Sequence, residues 1–283
     1  MKNTTTILKI GNGILQKNIV SVISFCIVII LFTFLDVFNN NDPEIVFFDI
    51  GQGDAILIQQ DNFQILVDGG PDDNIVYELA KQMPWYDKNI EIVVLTHPHE
   101  DHIRGVLNVL EEYTVEKVLL NKIEYENKGY DYLITNYGDI IFNVVEGDML
   151  EYGDITGEVL YPFKDELEQE ENINNESVIL FFEIKGYGTL LMGDAEVEIE
   201  EKLIDRQNLE NIYILKAGHH CSKTASSEMF LTVINPEIAI CSCGERNKFG
   251  HPHYETTEKF KKLNVQYLIT YEEGNIVMKF NDL

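Results

Sequence analysis

Between Thr96 and His102 the chain reads THPHEDH, directly after Ile90–Leu95 (IEIVVL), an apolar run with the character of a buried strand. Three histidines and an aspartate at one strand-to-helix turn bring four candidate ligands together. Imidazoles suit borderline divalent metals, and a carboxylate completes the shell or holds a water beside it. A solvated polar loop carries one or two histidines by chance, but not this set. Helical spacing resumes over Ile103–Tyr113. The motif therefore demands a strand whose carboxyl end opens into a site, the usual place for one in α/β proteins.

The other histidines extend the pattern. The chain has seven: His97, His99, His102, His219, His220, His251 and His253. Each falls in a doublet or cluster just beyond a predicted strand. Structural histidines scatter; these do not.

Strands are expected over Glu44–Ile50, Ala55–Gln59 and Phe63–Val67, with turns at Gly51-Gln52-Gly53 and Gly69-Gly70, followed by a helix over Ile75–Met83. Lys117–Leu120 is a further strand. Residues 122–175 are polar and irregular, with strands near Ile140–Val145 and Glu158–Leu160 and a solvated acidic loop at Asp165–Glu171. Ser177–Ile184 and Thr189–Met192 form a hairpin. Helix 196–205, strand Ile212–Leu215, helix 226–234, strand Glu237–Cys241, helix 254–263 and strand Val265–Thr270 complete the reading. The pattern predicts an α/β (α+β) domain of two mixed sheets packed together with helices outside.

Ahead of this domain, Ile19–Leu35 (IVSVISFCIVIILFTFL) carries no charge. Lys2, Lys9 and Lys17 precede it; Asp36, Asp42 and Glu44 follow. Length and charge asymmetry predict an uncleaved membrane anchor. The expected organisation is a cytoplasmic segment at 1–18, a single transmembrane helix at 19–36, a linker at 37–43 and an extracytoplasmic domain at 44–283.

The net charge is −27, and all the acidity lies beyond residue 35. Such a surface repels polyanions at long range and lacks the counterion release behind most nucleic-acid binding. Cys26, Cys221, Cys241 and Cys243 make no disulfide framework and read as buried thiols.

Several further motifs line up with the histidine turn: Phe48-Asp49-Ile50-Gly51-Gln52-Gly53-Asp54-Ala55, Val67-Asp68-Gly69-Gly70, Met192-Gly193-Asp194-Ala195-Glu196, Lys216-Ala217-Gly218-His219-His220 with Ser222, and Phe249-Gly250-His251-Pro252-His253. In order and spacing across about residues 44–270, they resemble the metallo-β-lactamase superfamily, and within it the hydrolase domain of the competence protein ComEC. The resemblance implies an αββα sandwich and two divalent metal ions, Zn²⁺ or Mn²⁺. His97 and His99 would hold the first, Asp101 and His102 the second, with Asp194 bridging; a helix N-cap is the alternative role for Asp194. One of His219 and His220 would complete the second metal (His220 is the expected ligand) while the other faces substrate, and both are candidate catalytic residues. Asn175, Ser177 and His251 would contact substrate, and His253 is a candidate cap for the last helix.

The chain also departs from the family pattern. No histidine is left to serve as a third ligand on the first metal, where Asn174-Asn175-Glu176-Ser177 offers oxygens instead. Cys221 stands where ComEC-like chains usually have Gly, Arg104-Gly105 where they often have Gly-Gly, and His99 where they often have Asp. The multispanning channel region of ComEC has no counterpart here, so a separate channel protein is an implied partner.

Two cations a few ångströms apart activate a water between them and stabilise both attacking and leaving oxygens. Asp101 would accept the proton, and His219 or His220 would stabilise the transition state. The implied reaction is phosphodiester hydrolysis, of DNA at the cell surface during competence and DNA internalisation. Ester, lactone or β-lactam hydrolysis, or a non-catalytic metal-binding module, are the alternatives.

Overall fold

The computed structural model describes residues 22–29, 42–166 and 169–280. Residues 1–41 and 42–283 separate into two compact units. Of the first, only the helical residues 22–29 are described. The expected anchor over 19–36 is corrected here: among the described residues no helix is long and apolar enough to cross a membrane. The remainder of 19–36 lies outside the described residues. The single-pass, extracytoplasmic placement built on that anchor falls with it.

The second unit consists of two seven-stranded sheets. The chain enters through β1 (Glu44–Phe47), β2 (Ile56–Gln60), β3 (Phe63–Val67), helix α1 (Asn74–Gln82), β4 (Asn89–Leu95), α2 (Glu100–Glu112), β5 (Thr114–Leu120), α3 (Lys128–Tyr137) and β6 (Ile141–Asn143). It then builds β7 (Met149–Tyr152), β8 (Ile155–Tyr161), β9 (Ile179–Ile184), β10 (Tyr187–Leu191), α4 (Val197–Arg206), β11 (Ile212–Lys216), α5 (Glu228–Ile234), β12 (Ile238–Cys241), α6 (Tyr254–Leu263) and β13 (Gln266–Ile269). A short helix α7 (Thr270–Glu273) leads into β14 (Ile276–Lys279), which pairs antiparallel with β1 and closes the first sheet.

Alternation along the strands decides the layers, because successive side chains point to opposite faces. Ile45, Phe47, Ile58 and Val94 pack with Leu180, Phe182, Leu191 and Ile214 between the sheets. Val46, Leu57, Leu66 and Val93 face outward onto α1 and α2 through Leu79, Ile103, Val106 and Val109. Leu190, Leu215 and Ala239 meet Ile199, Leu203, Phe230 and Phe260 from α4, α5 and α6. The result is the expected αββα sandwich. Strands β3 to β6 run parallel in one sheet and β10 to β13 in the other, so both present carboxyl ends to connecting turns.

Three local expectations change. The stretch 122–175 holds a helix, α3, capped by the Asn127 side chain, which accepts from the Gly129 and Tyr130 amides. The chain does not end its secondary structure at residue 270, since β14 follows. Cys221 and Cys241 are not thiols but a disulfide with Cα atoms 5.4 Å apart. Parallel β11 and β12 pair Lys216 with Ile240, which brings the turn after β11 beside the end of β12. Cys243 is a buried thiol, and Cys26 is free and exposed.

Candidate metal centre

The exit of β4 is clamped from two sides. Thr96 donates its amide to Asp68 Oδ1 at 2.8 Å and its hydroxyl to Asp68 Oδ2 at 2.7 Å. Beside it, the turn after β3 lies against the first turns of α2: Gly69 N–H donates to His102 O at 2.9 Å, and Gly105 N–H to Gly70 O at 3.0 Å. That approach requires glycine. A Cβ on Gly105 would sit 1.7 Å from Gly69 O, and one on Gly69 would sit 2.2 Å from the Val106 nitrogen.

The side chains so delivered converge on Asp194, which follows β10. Its Oδ2 lies 3.2 Å from His220 Nε2, 3.4 Å from His102 Nε2 and 3.8 Å from His97 Nε2. His220 Nε2 is also 3.4 Å from Asp101 Oδ2. Among the described residues, four overlapping sets of ligand atoms lie within 4.8 Å of one another: His97–His102–Asp194, Asp101–His102–His220, Asp54–Asp194–His220 and Asp54–Asp68–His102. His99 stands outside these sets, with its Nδ1 3.0 Å from His97 Nε2. Asp194 does not cap α4; Glu196 occupies the N-cap position.

The adjacent histidines after β11 diverge. His220 is buried and faces Asp194 and Asp101. His219, a quarter exposed, turns to Glu196 Oε1 at 3.0 Å. His219, His220 and Cys221 hold φ of 47°, 54° and 62°, three consecutive non-glycine residues in the left-handed region. Such conformations each cost of order 1–3 kcal/mol and persist where the surroundings over-determine them. Here the Cys221–Cys241 disulfide anchors the third of them.

The remaining candidates lie around this cluster. Asn175 is buried, and its Oδ1 accepts from the Glu196 amide at 2.9 Å. Ser177 is buried too: its hydroxyl donates to Asn174 O at 2.7 Å and accepts from the Asp194 amide at 3.0 Å. Both brace the turns behind the centre. His251 is nearly buried, with ring centroids 5.4 Å from His219 and 6.0 Å from His220, and stacks on Phe249. His253 stands at the N-cap of α6, but its Nδ1 accepts from the Lys223 amide instead.

Two carboxylates that the histidine pattern does not single out complete the arrangement. Asp68 Oδ2 lies 2.8 Å from His102 Nδ1, and Asp54 Oδ1 lies 3.4 Å from His220 Nδ1. A carboxylate behind an imidazole fixes the ring and turns its other nitrogen outward as a ligand. The signal for them lay in the Gly53-Asp54 turn ahead of β2 and the Asp68-Gly69 turn after β3.

Burial raises the Asp194 carboxyl, but the His220 and His102 rings outweigh it and hold it well below the usual range. Asp101 is held down similarly by His220 and His102. Burial favours neutral imidazole at His102 and His220, yet Asp194 with Asp68 or Asp54 drives both well above the usual value. His97 and His99, lowered by burial and by His102, stay neutral. At Asp68 burial outweighs the pairing with His102 and the carboxyl rises. Burial, with His220 and His219, pushes His251 down to about 3. Among the described residues, Asp194 Oδ1, His102 Nε2 and both His220 nitrogens are buried without a hydrogen-bond partner. Buried polar atoms are normally satisfied. Imidazole nitrogens and carboxylate oxygens converging in a buried space are a donor set that fits divalent cations, which would displace the protons from His102 and His220.

Comparison with known proteins agrees with this geometry. The chain is 26% identical over 278 residues to ComE operon protein 3 of Bacillus subtilis, covering 91% of this chain and 35% of that protein. It is 26% identical over 283 residues to Recombination protein 2 of Haemophilus influenzae, covering 96% and 34%. It thus spans about a third of the length of these relatives. In fold it is similar to the metallo-β-lactamase fold protein YhfI from Bacillus subtilis, with a TM-score of 0.57, 13% identity and coverage of 84% and 100%. The model of the Metallo-beta-lactamase superfamily, a fold generally used for hydrolysis with divalent metals, matches residues 48–245. That stretch includes every strand end from Asp54 to His220, and the chain belongs to the metallo-β-lactamase superfamily.

Proposed function

We propose that this chain is a metal-dependent phosphodiesterase. The observation that carries the reading is the convergence of His97, His102 and His220 on one oxygen of Asp194, with Asp101 beside His220 and buried ligand atoms left unpartnered. His97, with His99 beside it, holds one cation; Asp101, His102 and His220 hold the other; Asp194 serves both. Bound there, two divalent cations, Zn²⁺ or Mn²⁺, supply Lewis acidity towards a phosphoryl group and towards water.

The protein's own groups do the rest. Asp68 and Asp54 hold the His102 and His220 rings. Asp101, partly exposed at the mouth, accepts the proton of an attacking water. His219, fixed by Glu196, reaches a non-bridging oxygen of the substrate. Asn174 Nδ2 donates to Glu196 Oε1 at 3.0 Å and lies 3.4 Å from His219 Nδ1, which ties that ring to the same loop. His251 remains neutral and offers a hydrogen bond without attracting a second carboxylate. No side-chain nucleophile is required.

A relative named for recombination supports a DNA strand as substrate. One observation favours a small substrate instead. Cations are sparse around the centre on a chain of net charge −27, and the buried one, Lys216, is paired with Asp54. The same centre would open a small ester, lactone or β-lactam.

The test is turnover of bis(p-nitrophenyl) phosphate, single-stranded DNA and a chromogenic β-lactam by the full chain under Mn²⁺ and Zn²⁺. Phosphodiester turnover that disappears in His97→Ala and Asp194→Ala is expected. Turnover of the β-lactam alone would replace the reading with the small-substrate one.

A further inference from the structure

Lys216 ends β11 with its side chain wholly buried. Lysine is almost never fully buried unless paired. Its Nζ forms an ion pair with Asp54 Oδ2 and donates to Gly193 O at 3.0 Å. Asp54 is equally buried; its amide donates to Asp101 O at 3.3 Å, and its other oxygen faces His220 Nδ1. Gly193 immediately precedes Asp194. One ammonium therefore ties the loop of the first sheet that carries Asp54 to the turn of the second that carries Asp194. Packing does not account for it, because an apolar side chain of similar length fills the same space without the cost of desolvating two charges.

We propose that Lys216 is a positioning residue for the metal position served by Asp101, His102 and His220. The inference rests on the reading that this cluster holds metal. Lys216 fixes Asp54 in place, with Asp54 Oδ1 set 3.4 Å behind His220 Nδ1 while His220 Nε2 faces Asp194 and Asp101. Without the ammonium the Asp54 side chain loses its buried partner and its fixed orientation, and His220 loses the group behind its ring. His97 touches neither Lys216 nor Asp54: its Nδ1 neighbours are Thr96 Oγ1 at 3.1 Å and Ser177 Oγ at 3.4 Å, and Ser177 Oγ separately holds the Asp194 amide at 3.0 Å. The consequence is an asymmetry. Loss of Lys216 weakens the position that His220 serves more than the one that His97 serves, because Ser177 still holds the Asp194 turn.

The probe is Co²⁺, titrated into the full-length metal-free protein against a competing chelator and followed by absorption. The native chain is expected to take two equivalents. In Lys216→Met, one equivalent weakens by about 10–100-fold, the usual effect of losing a group that braces a ligand, while the other changes little. Two equivalents of native affinity, or equal weakening of both in a folded variant, would overturn the proposal. If Lys216→Met fails to fold by circular dichroism, Asp54→Leu/Lys216→Met removes both buried charges together. The same selective loss is expected there, and retention of both equivalents overturns the proposal. A native chain that binds no Co²⁺ would instead remove the metal reading itself, an outcome distinct from a native chain that binds two and a variant that does the same.

Discussion

Asp68 Oδ2 lies 2.8 Å from Nδ1 of His102, and the same carboxylate accepts from both the amide and the hydroxyl of Thr96. One buried group thus sets the ring of a candidate ligand and the path of the strand end that displays it. Asp68→Asn keeps an acceptor for Thr96 but presents a poorer partner to His102. Metal affinity, measured by chelator competition, should fall about 10–100-fold. Asp68→Ala should in addition lower stability by about 1–3 kcal/mol, because buried Thr96 donors lose their acceptor. Unchanged affinity in both variants would remove Asp68 from the centre.

The pH response should reverse between metal-free and metal-loaded protein. In the metal-free state the folded values of His102 and His220 are raised by Asp194, Asp68 and Asp54. Their stabilisation is complete below the unfolded value of about 6.5 and is lost as pH rises through the folded values. Asp194 and Asp101, lowered in the fold, stabilise above the unfolded carboxyl value and lose that contribution only in strong acid. Metal binding must displace the protons on His102 and His220. Calorimetry at neutral pH in buffers of different ionisation enthalpy should therefore show proton release, with affinity falling as pH falls. Binding without proton release would contradict this.

The Cys221–Cys241 disulfide closes a loop with a sequence separation of 20. Chain-entropy reasoning gives it about 3 kcal/mol. For a domain of this size that corresponds to a fall of roughly 6–12 °C in Tm on reduction, followed by calorimetry with and without a phosphine reductant. Cys243, whose thiol burial pushes up to about 12, should resist alkylation until the protein unfolds. Mass spectrometry of the native alkylated chain checks both statements.

Gly105→Ala should be among the most damaging small substitutions. The added Cβ meets Gly69 O at 1.7 Å, backbone against backbone, so neither side can yield cheaply. We expect a loss of about 1–3 kcal/mol or more in urea titration, together with weaker metal binding, because His102 sits on the same turn. Gly138→Ala, where nothing lies within 4 Å of the new atom, is the control and should change neither.

The residues of the centre that the sequence disclosed are those whose chemistry is local. His97, His99, Asp101 and His102 crowd one turn, and the apolar run before them states that the turn follows a strand. The choice between His219 and His220 was not local: it depends on left-handed φ values at both. Asp68 and Asp54 act on rings 34 and 166 residues away, so only the pairing of β3 with β4 and the packing of two sheets bring them into place. Strand β14 escaped notice because its four residues gain their character from β1, pairing Lys279 with Glu44 at the far end of the domain. The disulfide was hidden for a similar reason, since parallel β11 and β12 create the proximity that spacing alone does not reveal.

The central claim is that the side chains around Asp194 hold two divalent cations, and the most direct test is the metal content of the purified full-length protein beside Asp194→Ala. After equilibration with Zn²⁺ or Mn²⁺ and removal of free metal, elemental mass spectrometry should return two metal ions per native chain and fewer in the variant, with both proteins folded. A native chain that retains no metal, or a variant that retains as much as the native chain, would contradict it.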